Sequence, residues 1–141
     1  MEKNLFRVFL AFASLLGGAV AVPAVAGPYD APYAIIVTDT KPSSDPNLRP
    51  VIVNRVDGEN TLDNRAVVPP GRHKATLDLP PRKGFKVATQ AELEIDAKPC
   101  MRYYVAARLR TQTGQGWEPV IRHAEPIGEC VAKFGKEAKA K

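Results

Sequence analysis

The sequence predicts an all-β domain: an antiparallel β-sandwich of about seven short strands, held by one disulfide and preceded by a signal peptide. Three observations carry this expectation. The stretch Cys100 to Arg110 alternates with a period of two. Met101, Tyr103, Val105, Ala107 and Leu109 fall on one face, and Arg102, Tyr104, Ala106, Arg108 and Arg110 on the other, as in a strand with one packed and one wet side. Short apolar runs recur between clusters of proline, glycine, asparagine and aspartate, the spacing of an all-β chain. The two cysteines, Cys100 and Cys130, bracket the central strand and the segment after it.

The first 26 residues are set apart from the domain. Lys3 and Arg7 precede an uncharged apolar run from Val8 to Val22, and Ala24-Val25-Ala26 supplies the small residues a signal peptidase reads. The expected cut lies before Gly27. A cut after Ala21 or an uncleaved anchor are the alternatives, although the run is short for a span of about 20 residues. Cleavage leaves 115 residues with a net charge of +4, from 18 basic and 14 acidic side chains. A domain this small has little core to spare. In an exported chain two cysteines most simply pair. Closing the loop between them stabilises the fold by about 3 to 4 kcal/mol on the chain-entropy model. The expected location is therefore periplasmic or secreted, with the membrane crossed only transiently by the signal peptide.

The remaining elements follow in order. Gly27 to Pro32 is a lead-in. Tyr33 to Thr38 is β-branched and aromatic, apolar on both faces, and reads as a buried strand. Asp39 to Pro50, with three prolines, Ser43, Ser44, Asp45 and Asn47, reads as a loop. Val51 to Val56 is the second strand, stopped by Asp57-Gly58. Ala66 to Val68 is a short strand ended by Pro69-Pro70-Gly71, where proline fixes φ and glycine tolerates positive φ. His73 to Leu79 alternates, with His73, Ala75, Leu77 and Leu79 on one face. Phe85 to Asp96 is extended, its second half placing Ala91, Leu93 and Ile95 inward and Glu92, Glu94 and Asp96 outward. After the central strand, Thr111 to Gly116 is a turn and Trp117 to Ala124 the last strand, with Pro119 marking an edge or a bulge. Residues 27–130 thus form the sandwich. Residues 131–141, rich in lysine, read as a basic flexible tail or a fraying helical turn. No stretch of the mature chain shows a helical period sustained over three turns.

Val67 to Leu77, Val-Val-Pro-Pro-Gly-Arg-His-Lys-Ala-Thr-Leu, resembles the turn and strand of PEGA-like and transthyretin-like bacterial surface domains, and Asp57-Gly58 matches the hairpin turn that often precedes them. The tetrapeptide that names the PEGA family is absent, and the segment from Cys100 to Cys130 is outside that family's pattern. The resemblance implies an immunoglobulin-like or transthyretin-like extracytoplasmic sandwich used for interaction, and carries over no catalytic residue.

No catalytic or cofactor motif stands out, and no cofactor is expected. His73 and His123, with Glu125 two residues from His123 on the same strand face, fall short of the three or four ligands a metal needs. His73 shares a face with apolar residues, as a core histidine does. Ser43 and Ser44 lack a positioned base. Glu92, Glu94 and Asp96 could supply a carboxylate pair for a glycan-acting enzyme, but alternate on a strand as solvated surface residues do. The outward stripe Arg102, Tyr104, Arg108 and Arg110 is the strongest candidate binding site, because arginines around an aromatic ring recognise carboxylates, phosphates and sugar rings. Trp117 is either a partner anchor or a core residue capping one end of the sandwich. Against the arginine site stands a hairpin of Ala91–Asp96 with Met101–Leu109, in which the three carboxylates face the arginines; the short connection favours that pairing. The expected partner is an envelope protein, or alternatively an anionic lipid or glycan. Nucleic acid is not expected, because the positive excess is small.

Overall fold

The computed structural model describes residues 26–81, 89–111 and 116–138. The expected signal segment up to residue 25, the Phe85 half of the extended region, most of the Thr111–Gly116 turn and residues 139–141 lie outside the described residues. No helix among the described residues is long and apolar enough to cross a membrane. The described chain forms β1 (Ala34–Thr38), β2 (Leu48–Pro50), β3 (Ile52–Val56), β4 (Glu59–Asn60), β5 (Arg65–Val68), β6 (Gly71–Leu79), β7 (Thr89–Ala97), β8 (Met101–Leu109), β9 (Trp117–Pro126) and one helix, α1 (Gly128–Ala138). All seven expected strands are present. Two short ones join them: β2 inside the expected loop, and β4 after the Asp57-Gly58 turn.

The strands form a β-sandwich of two sheets. Sheet A runs β5-β1-β8-β9, and β2 continues beyond β1 along the same edge of β8. Sheet B runs β4-β3-β6-β7. Every pairing is antiparallel except β1 with β8, which is parallel. The alternation of β8 works as the sequence implies: Tyr103, Val105, Ala107 and Leu109 enter the core between the sheets, beside Leu77, Ile95, Val53 and Ile36. Fully burying such aliphatic side chains contributes about 1.5 to 3 kcal/mol each.

β7 and β8 do not form a hairpin, which corrects the expected arrangement of charges. They lie in different sheets. Ala97–Cys100 is a corner that carries the chain from sheet B to sheet A, with Ala97 and Cys100 both buried. Cys100 sits at φ +59°, its N–H donating to the Tyr33 carbonyl and its own carbonyl accepting from Ile127. A non-glycine residue in this conformation needs such surrounding constraints to persist. β7 pairs instead with β6 over nine residues, and Lys74 meets Glu92 at 3.3 Å. Among the described residues, the carboxylates of β7 thus make one ion pair, with β6, and none with the arginines of β8.

The second correction concerns the C-terminal segment. Where a flexible tail or a fraying turn was expected, Gly128–Ala138 is a helix of 11 residues. Ile127, Cys130 and Phe134 are buried against Tyr33, Ile35 and Cys100, with Val37 and Val67 packed alongside. The apolar positions 127, 130, 131 and 134 follow the i, i+3, i+4, i+7 spacing of a helix face. The disulfide Cys100–Cys130, with Cα atoms 5.2 Å apart, pins this helix to the corner. Helix α1 also explains why β1 is apolar on both faces. Ala34 and Ile36 face the sandwich core, whereas Ile35 and Val37 face the helix.

Candidate functional site

Helix α1 covers part of the outer face of sheet A, and the rest carries the residues singled out by their alternation. On β8, Arg102, Tyr104, Ala106 and Arg108 point outward. On the edge strand β9, Glu125 lies opposite Arg102 and His123 opposite Tyr104. The register then slips between Tyr104 and Val105, so that Arg122 is the extra residue of a bulge. Bulges re-aim side chains, and this one sends Arg122 across β8. Its Nη1 donates to Asp39 Oδ2 at 2.7 Å and to the Lys41 carbonyl at 3.1 Å. Asp39 follows β1, and its side chain is 1 % exposed. The Lys41 N–H donates to Asp39 Oδ1 at 2.9 Å. The outward residue of β8 at this level, Ala106, is small and buried, and leaves room for the bridge.

Tyr104 is the centre of the layer above. Its ring stacks on His123, with centroids 4.1 Å apart and planes inclined by 13°. Lys41 Nζ lies 5.4 Å from the ring centroid, within cation–π range. The Tyr104 hydroxyl donates to Glu125 Oε1 at 2.5 Å, and Arg102 Nη1 reaches the same oxygen at 3.3 Å. The Tyr104 hydroxyl bond, followed by the bond from Arg102 and the charges of Lys41 and Arg102, holds the Glu125 carboxyl below the ordinary carboxylate range. Tyr104, and after it Glu125, push Arg102 further up. His123 Nδ1 lies 3.8 Å from Asp39 Oδ2, too long for a hydrogen bond, and its Nε2 is buried without a partner among the described residues.

The structure divides the predicted arginine stripe. Arg102 and Tyr104 belong to this ordered cluster. Arg108 lies further along β8, opposite Glu118, exposed and without an ion-pair partner among the described residues. Arg110 is beyond the strand, its stem against Gly116. Trp117 is on the inner side of β9, packed against the core, with Nε1 donating to Thr89 Oγ1 at 2.7 Å. It closes the β7/β9 side of the sandwich and lies apart from the arginines. Asp39, Lys41 and Arg122 escaped sequence reasoning. The Asp39–Arg122 contact spans 83 positions and leaves no local pattern, whereas the shared face of His123 and Glu125 was visible from their spacing.

His73 is buried at the opposite sheet. Nδ1 meets Asp57 Oδ2 at 2.6 Å and Nε2 meets the Pro69 carbonyl at 2.7 Å, so both nitrogens tie the two predicted turns together. The described residues contain no group of three or more histidine, cysteine or acidic side chains able to hold a metal.

Together these features define a disulfide-bonded β-sandwich with one helix-covered sheet and an ordered aromatic and cationic patch beside the helix. Comparison with known proteins finds no family model, no curated protein and no solved structure that matches the chain.

Proposed function

We propose that this protein is an exported, non-enzymatic binding module that holds a protein partner of the cell envelope on the open part of the outer face of sheet A. The observation that carries this reading is the state of Tyr104. The ring is fixed by the His123 stack and the hydroxyl by Glu125, while the side chain stays partly exposed. An aromatic residue already ordered before binding loses little side-chain entropy on contact, and such residues make strong anchors. Exposed Arg108, further along the same outward side of β8, adds a cation. The disulfide supports an oxidising compartment, as do the features of the N-terminal segment. The likeness of Val67–Leu77 to bacterial surface domains supports an interaction role.

Co-purification from the native envelope tests this. Wild type is compared with Tyr104→Ala/Arg108→Ala at matched protein levels. The expected result is one partner retained by wild type and lost by the variant. A partner held equally by both proteins removes this face from consideration.

A further inference from the structure

A concave surface lies beside this patch. Between the first turns of α1 and the outer face of sheet A is a cleft of about 510 Å³, within the range of small-molecule sites. Its floor is apolar, formed by Ile35, Ile127 and Cys130, all at most 5 % exposed. Tyr29 forms one wall. The residue is 44 % exposed, but its ring stands edge-on to Tyr33, with centroids 5.0 Å apart. Two cations brace it: Arg65 donates to its hydroxyl and Lys133 to its carbonyl, each at 3.1 Å. Neither cation has a carboxylate partner among the described residues. Arg102 also lines the cleft, and Glu129 is the one carboxylate among its described lining residues. The rim therefore carries three cations, of which Arg102 is already paired with Glu125 at 3.3 Å, and one anion, above an apolar floor and beside an ordered ring.

We propose that this cleft binds a sugar-sized organic anion, its ring against Tyr29 and its carboxylate or phosphate drawn to the rim formed by Arg65, Lys133 and Arg102. An aromatic wall suits the apolar face of a pyranose, and charge-assisted hydrogen bonds suit the anionic group. This moves anion recognition away from the arginine stripe: Arg102 is shared, but Arg108 and Arg110 are not involved. The inference is independent of the protein-binding reading, which rests on Tyr104 and Arg108.

The test is an NMR titration of the oxidised protein with glucuronic acid, glucose 6-phosphate and glucose as probes. The expected result is shifts centred on Tyr29, Tyr33 and Lys133 with at least one anion, and binding of glucose weaker by about tenfold or more. Response to glucuronic acid alone assigns the site to carboxylates, and response to glucose 6-phosphate alone to phosphates. Arg65→Gln/Lys133→Gln, which keeps a donor near Tyr29, is expected to weaken anion binding by about tenfold or more, whereas Arg108→Ala leaves it unchanged. If neither anion shifts these residues, or glucose binds equally well, the proposal is overturned. Undiminished binding by a folded Gln/Gln variant overturns it as well.

Discussion

The outer faces of the two sheets use similar side chains to different ends. On sheet B, Glu92, Glu94 and Asp96 of β7 run beside Arg72, Lys74 and Thr76 of β6. The ion pair there, Lys74–Glu92, has both side chains more than half exposed, and such pairs contribute about 0 to 1 kcal/mol. That face is a solvated surface on which three carboxylates run beside two cations. On sheet A, the strand alternation is overlaid by a bulge, a small residue and a helix. Arg122 crosses β8 over Ala106 to a fully buried carboxylate, and Tyr104 and His123 stack above it. Charge that remains superficial on one sheet becomes an organised layer on the other.

Removing one cation from each face should separate them most widely. Arg122→Met leaves Asp39 buried with a backbone N–H as its remaining close partner. Breaking a buried pair from one side costs about 3 to 5 kcal/mol, so urea unfolding should show a loss of that order. Lys74→Met on sheet B should change stability by less than about 1 kcal/mol. Similar losses in the two variants would mean that Asp39 reaches water once Arg122 is gone. The helix-covered part of sheet A supplies the next effect. Cys100→Ala/Cys130→Ala should cost about 2 to 5 kcal/mol. Cys100→Gly/Cys130→Ala should cost less by up to about 1 kcal/mol, because glycine adopts the positive φ of residue 100 without strain. Equal losses would show that the corner relaxes once the disulfide is absent.

How far the molecule was legible in its sequence follows from the range of the interactions involved. The period-two patterns of His73–Leu79, Ala91–Asp96 and Met101–Leu109 are local, and each became the strand it indicated. The cysteine pairing was legible because there is one way to pair two cysteines. Sheet membership was not legible, because β7 and β8 are joined by three residues in either arrangement. The difference lies in the bonds of Cys100 to Tyr33 and Ile127, which no local pattern encodes. Helix α1 could have been found from positions 127, 130, 131 and 134. Its lysines and sparse apolar content indicate a tail instead, and what stabilises the helix is burial on β1, a tertiary effect. In the candidate site, Arg102 and Tyr104 were visible from their alternation. Asp39 and Arg122 were not, because a bulge that lengthens β9 by one residue shows itself only against its partner strand.

Ala106 tests whether that bulge and the small residue beneath it create the layer. Ala106→Leu places a larger side chain where the Arg122–Asp39 bridge passes. Overpacking of this kind costs about 1 to 3 kcal/mol, and binding of the proposed protein partner should fall with it if the layer sets the position of Tyr104. A stability and affinity equal to wild type would show that Arg122 takes another route to Asp39.

The smallest expected effect is a pH dependence in which one carboxyl group beside each sheet should agree in sign. The His73 bond, and then the Lys74 N–H, lower the pKa of Asp57 below its ordinary value; the Tyr104 bond does the same for Glu125. A carboxyl group whose folded pKa is depressed contributes stability that is fully present above its unfolded pKa and is lost as pH falls through the folded one. Both contributions should therefore be intact at neutral pH and decline in acid, below the ordinary range of each carboxyl group. Urea unfolding followed from neutral pH into acid should show a shallower acid decline in Asp57→Asn and in Glu125→Gln than in wild type. Both side chains are substantially exposed, so the differences should be small and should shrink with salt. The Asp57 contribution is expected to resist salt better, since its principal partner His73 is buried whereas Glu125 faces the partly exposed Arg102 and Tyr104. The opposite order of salt sensitivity would place the better-shielded carboxylate on sheet A and reverse the contrast at this pair of sites.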